Sequence, residues 1–392
     1  MILDGADIVL TDRIVHGGRL VIEGDRIVDI GPGSASGPLA GHLIVPGFID
    51  VHVHGVEGND VLEAPDRIRE VAARMPRYGV TSFCPTTVAC SPDDLTMVAR
   101  AILDVQQSPA PRSARVLKAH LESNFITPDY RGAQPLACLC LPPGAPASAH
   151  VEGTAADYNG DDIMAAIAAH RDAVGILTIA PELPEAIPLI ADLVAHGHRV
   201  SLGHSGATYE QGRAGIEAGA RHATHLFNRM PPFTHRAPGL VGAVLEDERV
   251  AVEIVCDGYH VHPATMRAAI RAKQPSRVMA ITDGTAGSGL PVGSEVMLGG
   301  RRITVTKDAC FLDDGTLAGS SLTMDRAFAN LVSLVGLHPT EAALMASTVP
   351  ARELRLSGYG VLETGAVADI VVLDAAHRVR QTIIGGVLAY EG

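Results

Sequence analysis

Apolar and polar positions alternate along the chain with two different periods. Near the start, short β-type runs are broken by glycine: ADIVLTD (6–12), GGRLVIEGDRIVDIGPG (17–33) and HLIVPGFIDVHVHG (42–55). The last 35 residues repeat this texture as GYGVLETGAVADIVVLDAAHRVRQTIIGGVLAYEG (358–392). Chain termini commonly lie close together at a domain surface, so both ends are expected to pair into one small β-sandwich-like domain. Two unrelated edge hairpins are the alternative.

The middle alternates compact apolar runs with amphipathic, alanine-rich stretches, which is the pattern of βαβ units around a parallel sheet. Eight strands are expected: IVPGFIDVHV (44–53), VTSFCPTT (80–87), RVLKAHLES (115–123), VGILTIAPE (174–182), RVSLGHS (199–205), RHATHLFN (221–228), VAVEIVCDG (250–258) and RVMAITDG (277–284). Helical periodicity lies between several of them, at 66–79, 92–106, 207–219 and 262–273, and again at 320–337 and 339–354. Eight such repeats fit a closed (β/α)8 TIM barrel better than an open sheet. The expected α/β organisation is therefore a barrel over 46–352, with 1–45 and 353–392 forming the small domain. Residues 124–160 are too long and too rich in Pro and Gly for an ordinary loop, which points to a lid or substrate-binding segment. A Gly-rich β-like insertion is expected at 286–320.

Composition narrows the class. At 47% hydrophobic and 19% charged residues the chain is globular in character. Forty-four acids against 31 bases leave a net charge of −13, which argues against a nucleic-acid-binding surface, because phosphate contacts need clustered Lys and Arg. No apolar run reaches the length of a membrane span, and the acidic start lacks the features of a signal peptide, so no membrane partner is expected and the expected compartment is the cytoplasm. Six cysteines without a metal-type spacing are read as free thiols, Cys138 and Cys140 included.

Histidine is the unusual count, at 17. In a TIM barrel the chemistry sits at the C-terminal strand ends. The expected strands carry there His52 and His54, His120 and Glu122, His204, His225, Asp257 and Asp283. His52 and His54 are two apart and share one face of a strand. His204 and His225 are one βα repeat apart, on neighbouring strands. Glu122 lies in an apolar run, where an unpaired carboxylate is costly and a cation removes the cost. Four imidazoles and one carboxylate suit zinc or another divalent ion, or two ions if Glu122 bridges. Asp283 is not needed to complete that set and is placed to act as general base, taking a proton from an activated water and passing it to a leaving amine. His120 is read as orienting Glu122, and Asp50 as orienting a histidine. The remaining histidines, His150 among them, are read as packing or solvent-facing.

With these residues in view, the chain resembles the amidohydrolase superfamily and, within it, the N-acetylglucosamine-6-phosphate deacetylases. The resemblance rests on PGFIDVHVHG (46–55), HLE (120–122), TIAPE (178–182), LGHSGATYEQ (202–211), ATHLFNRMPPFTHRAPGLVGA (223–243), DGYHVHP (257–263), ITDGTAG (281–287) and GTLAGSSLTMD (315–325). It implies a metal-dependent amide hydrolase that releases acetate from an N-acetylated amino sugar 6-phosphate. Glu122, His204 and His225 would hold a first metal, and His52 and His54 a second. Asp283 would be the base. His260 would lie near the scissile carbonyl or the sugar hydroxyls. Asn228 and Arg236 would hold the sugar phosphate, with Arg236 reaching in from the other subunit of a homodimer.

Three departures from the family pattern bear on the pocket. Ser123-Asn124 follow HLE in place of Gly-Pro, Gln134 stands for a substrate-contacting histidine, and Arg229 replaces the alanine of Asn-Ala-Met. Arg229 either adds a contact to an anion or fills space where a sugar ring would sit. The rival readings are a deacylase of another N-acyl amine, such as an N-acyl amino acid or N-acetylgalactosamine 6-phosphate, and a non-enzymatic, metal-stabilised scaffold or sensor.

Overall fold

The computed structural model describes residues 1–63, 66–146 and 157–392; part of the 124–160 excursion, with His150, lies outside them. All eight expected strands are present and parallel, in chain order: Phe48–Val53, Val80–Thr87, Ala119–Leu121 with Arg115–Val116 just before it, Val174–Ile179, Arg199–Leu202, His222–Ala223, Ala251–Val255 and Val278–Ile281. The last returns to the first. Asp283 N donates to His52 O at 2.9 Å, and Val53 bridges Gly284 in parallel.

The strands read as unbroken apolar runs because both their faces are covered. Phe48–Val53 and Val80–Thr87 are buried at every position. Helices form the outer layer by ordinary local rules. Pro92–Gln107 is started by Ser91, whose Oγ accepts from Asp94 N at 3.1 Å, and it turns Leu95, Val98, Ala99, Ile102 and Val105 inward at helical spacing. Tyr209–Glu217 starts with a capping box made by Thr208 and Gln211.

The run 44–53 is two strands rather than one. Leu43–Pro46 belongs to a different sheet, and the chain breaks at Gly47, where a Cβ would come within 2.4 Å of the Thr81 side chain. The helical stretch expected from 320 starts only at Met324, and it widens into a π-helical turn over Leu331–Val335. The 286–320 insertion folds as a three-stranded antiparallel sheet, Glu295–Leu298, Arg301–Val305 and Cys310–Leu312.

The two ends of the chain make one seven-stranded sheet. It joins Ile2–Val9, Ile14–Glu23, Arg26–Pro32 and Leu43–Pro46 to Ile370–Leu373, Val379–Ile384 and Val387–Glu391. The sheet curls over its own apolar core, which includes Ile8, Leu20, Ile27, Ile44 and Ile370, and Ile27 N closes the curl by donating to Ala366 O at 3.0 Å. Division of the chain at 1–45, 46–352 and 353–392 is the proposal that suits this arrangement. Among the described residues no helix is long and apolar enough to cross a membrane.

Candidate active site

Six side chains converge at the C-terminal mouth of the barrel. Glu122 Oε1 lies 2.9 Å from His204 Nε2 and 2.8 Å from His225 Nε2, and those two nitrogens are 3.0 Å apart. On the other side, His52 Nε2 and His54 Nε2 each lie 3.4 Å from Asp283 Oδ1. The two groups touch, because His52 is 3.6 Å and His54 3.5 Å from the Glu122 carboxylate. All six are buried. Asp283, expected outside the ligand set, thus stands in a three-donor group with His52 and His54.

Local backbone geometry turns these groups inward. His204, His225 and Asp283 each lie two residues past a strand end and have φ of 47°, 28° and 48°, in the left-handed region. Each such residue costs about 1–3 kcal/mol, which surrounding structure must offset. For His204 the offset includes Glu182, which accepts from Ser205 Oγ at 2.7 Å and Gly206 N at 2.6 Å.

The donor set fits a divalent cation. Three imidazoles commit Nδ1–H outward: His52 to Glu253 Oε2 at 2.9 Å, His54 to Thr86 O at 3.0 Å, and His204 to Tyr130 O at 2.8 Å. Each Nε2 lone pair then faces the cavity, as a metal ligand requires. His52 Nε2 is buried without a hydrogen-bond partner. Two facing Nε2 atoms 3.0 Å apart, as in His204 and His225, repel as lone pairs and are reconciled by a cation between them. Burial alone would raise the Glu122 carboxyl, but His204 and His225 beside it hold it well below the usual carboxylate range. Burial alone would depress the His52 imidazole, but Asp283, Glu253 and Glu122 around it push it up to about 10, so that a cation taking the Nε2 lone pair displaces a proton from it. The site therefore concentrates negative potential that a divalent ion offsets.

Sequence reading missed Glu253. It lies inside the apolar strand Ala251–Val255, fully buried, and fixes the His52 ring from behind while also facing His225 N at 3.3 Å. The signal was available, since a lone carboxylate in an apolar run is costly wherever it occurs. Replacing Glu253 with Gln is expected to lower metal affinity on the His52–His54 side by about 10–100-fold, measured by competition with a chromogenic chelator. Unchanged affinity would show that His52 needs no such support.

Two supporting assignments are corrected. His120 does not bond Glu122: it donates to Val51 O at 3.0 Å and accepts from Thr178 Oγ1 at 2.9 Å, and burial holds its imidazole down at about 4, in the neutral form. Asp50 touches no histidine ring. It accepts from Thr282 Oγ1 at 2.6 Å and His52 N at 3.2 Å, tying the first strand to the last.

The converged groups open into a cavity of about 460 Å³. Asn228, Arg229 and His260 line it. His260 Nδ1 bonds Asp257 Oδ2 at 2.5 Å, leaving Nε2 buried without a partner. Arg229 is half-buried at the wall and sits over Gly132, where a Cβ would come within 2.5 Å of its Nε. Gln134 also lines the cavity, but its amide is engaged within the protein, donating to Glu122 and accepting from Ala89 N at 2.7 Å. Ser123 and Asn124 do not line it. They bond backbone, with Asn124 Nδ2 joining Cys90 O at 2.8 Å to Cys138 O at 2.6 Å. Arg236 is exposed on the 231–237 loop and is not brought to this cavity within its own chain. Cys138 and Cys140 are free and belong to no metal-type cluster among the described residues.

Comparison with known proteins places this geometry in context. Residues 189–389 match the amidohydrolase family model. N-acetylgalactosamine-6-phosphate deacetylase of Escherichia coli O157:H7 is 37% identical over 349 residues, 88% of each chain. N-acetylglucosamine-6-phosphate deacetylase of Lysinibacillus sphaericus is 34% identical, covering 88% of this chain and 85% of the relative. An aspartate-to-alanine variant of the Mycobacterium smegmatis N-acetyl-D-glucosamine-6-phosphate deacetylase, solved in complex with N-acetyl-D-glucosamine 6-phosphate, superposes with a TM-score of 0.88 at 31% identity over 99% of both chains.

Proposed function

The chain belongs to the amidohydrolase superfamily and, within it, to the N-acetylglucosamine-6-phosphate deacetylase family, and from that premise we infer that it hydrolyses the acetamide of an N-acetylated amino sugar 6-phosphate. Acetate and the free amino sugar phosphate are the products. The observation that carries the reading is Glu122 held between His204 and His225 in the barrel mouth, with Asp283 facing the same cavity.

Glu122, His204 and His225 would hold one divalent ion, and His52 and His54, with Asp283 in reach, a second; zinc suits these nitrogen and oxygen donors. When bound, the ion supplies Lewis acidity to the acetamide carbonyl and to the attacking water. The chain's own residues supply the rest. The Asp283 carboxylate takes a proton from water as oxygen attacks the carbonyl carbon. It returns that proton to the sugar nitrogen as the C–N bond breaks, so the leaving group departs as an amine. His260, held by Asp257, leaves Nε2 to meet the carbonyl or a sugar hydroxyl. Asn228 and Arg229 are placed for the sugar end, and Gln134 steadies the second Glu122 oxygen. Arg236 would reach the phosphate from the neighbouring subunit of a homodimer, and the cytoplasm is the proposed compartment.

Acetate release from a substrate panel tests this reading. N-acetylglucosamine 6-phosphate or its galacto epimer is expected to be cleaved, and loss of the phosphate to lower kcat/KM by at least about a hundredfold, as expected when two charge-assisted bonds are lost. Preference for an N-acetyl amino acid would overturn it. The galacto epimer is the second reading, favoured by the 37% identity to the Escherichia coli relative.

A further inference from the structure

The barrel has a second concavity at its opposite, N-terminal mouth, of about 360 Å³. Lys118, Gly175 and Arg199 lie at the N-terminal ends of the third, fourth and fifth barrel strands and line it, together with Arg355 just after the helix Val349–Glu353. No carboxylate is among its lining residues. In a chain of net charge −13, three cations on one concavity need a reason.

Internal neutralisation does not supply it. Glu353 is the nearby acid, but its carboxylate already serves Arg352 at 2.9 Å, Arg277 at 3.4 Å and His222 at 3.4 Å. Arg199 reaches only the Glu353 backbone oxygen, its Nε donating at 3.0 Å. Lys118 and Arg355 form no ion pair among the described residues. Burial, and then the charge of Arg355 nearby, pull the Arg199 guanidinium below its usual range, and the smaller upward pull of Glu353 does not reverse this. Arg355 also holds a left-handed backbone, φ 59°, a strain that persists where surrounding structure demands it. At Gly175 a Cβ would come within 2.9 Å of the Lys118 Cβ, so the glycine keeps room for that side chain against the strand. Repulsion between Arg199 and Arg355 is relieved by an anion that accepts from both, Lys118 on the same concavity offers a third donor, and guanidinium groups match phosphate oxygens.

We propose that this mouth binds the phosphate group of a small phosphate monoester through Lys118, Arg199 and Arg355. The site stands apart from the candidate active site, which occupies the C-terminal mouth, and its occupation does not depend on the deacetylase reading. Binding to the metal-replete protein is measured by calorimetry with inorganic phosphate and with glucose 6-phosphate, and hydrogen exchange locates it. Ligand is expected to protect 117–118, 197–199 and 354–356. R355Q and K118Q, both at exposed side chains, are expected to weaken binding at this site by about tenfold, and R199Q at least as much, with acetate release within about twofold of the unsubstituted enzyme. Protection confined to 228–230, or affinity unchanged in R355Q and R199Q, would overturn the proposal. Binding of inorganic phosphate without glucose 6-phosphate would overturn the monoester class.

Discussion

Asp283→Asn is expected to lower kcat for N-acetylglucosamine 6-phosphate by about 10²–10⁴-fold, the range over which a positioned general acid–base group contributes. The side chain keeps its volume but can no longer take a proton from water. Burial alone would raise the Asp283 carboxyl, but His52 and His54 beside it hold it below the usual range, so it is ionised and ready as a base near neutral pH. The Glu122–His204–His225 group does not use Asp283 and is expected to retain its metal, as elemental analysis of the purified variant would show. A variant that keeps full turnover would remove Asp283 from the chemistry. One that loses activity together with all bound metal would make it a structural ligand instead.

Glu122→Ala is expected to remove the metal from the His204–His225 side and to lower kcat/KM by at least about 10³-fold, the equivalent of several kcal/mol of transition-state stabilisation. No other carboxylate lies within hydrogen-bond distance of both His204 Nε2 and His225 Nε2 among the described residues. Nothing nearby therefore takes its place. The variant is expected to fold with a lowered melting temperature, because removing the carboxylate leaves the His204, His225 and His52 imidazoles and the Gln134 amide without the partner they face. Metal content by elemental analysis, read beside a thermal unfolding curve, separates the cases. A folded variant with full metal at that side would refute the assignment of Glu122.

The two residues differ in how far the chain alone reveals them. His52 and His54 were legible because strand periodicity is strictly local: two positions apart means one face, whatever surrounds the strand. Glu122 was legible as a charge inside an apolar run. Glu253 carries the same signal, but its run, Ala251–Val255, reads simply as a buried strand. Arg229 and Gln134 were picked out as departures from a pattern, but their outcomes differ. Arg229 lies at the cavity wall, while the Gln134 amide is taken up by Glu122 and Ala89. Ser123 and Asn124 turn away to backbone partners that are distant in sequence, Thr178 O and Cys138 O among them.

Taken by itself, the sequence determined the eight strand–helix repeats, the β character of both ends and the donor types at each strand end, since all of these follow from side-chain period, turn residues and local caps. Tertiary structure decided which donors share a centre, which ring nitrogen each histidine presents, and that Asp283 stands against His52 and His54. It also brought Lys118, Arg199 and Arg355 onto one concavity. Those outcomes depend on the closure of the barrel, which sets distances between side chains far apart in sequence, 231 positions for His52 and Asp283, and no local rule of the backbone encodes such a distance.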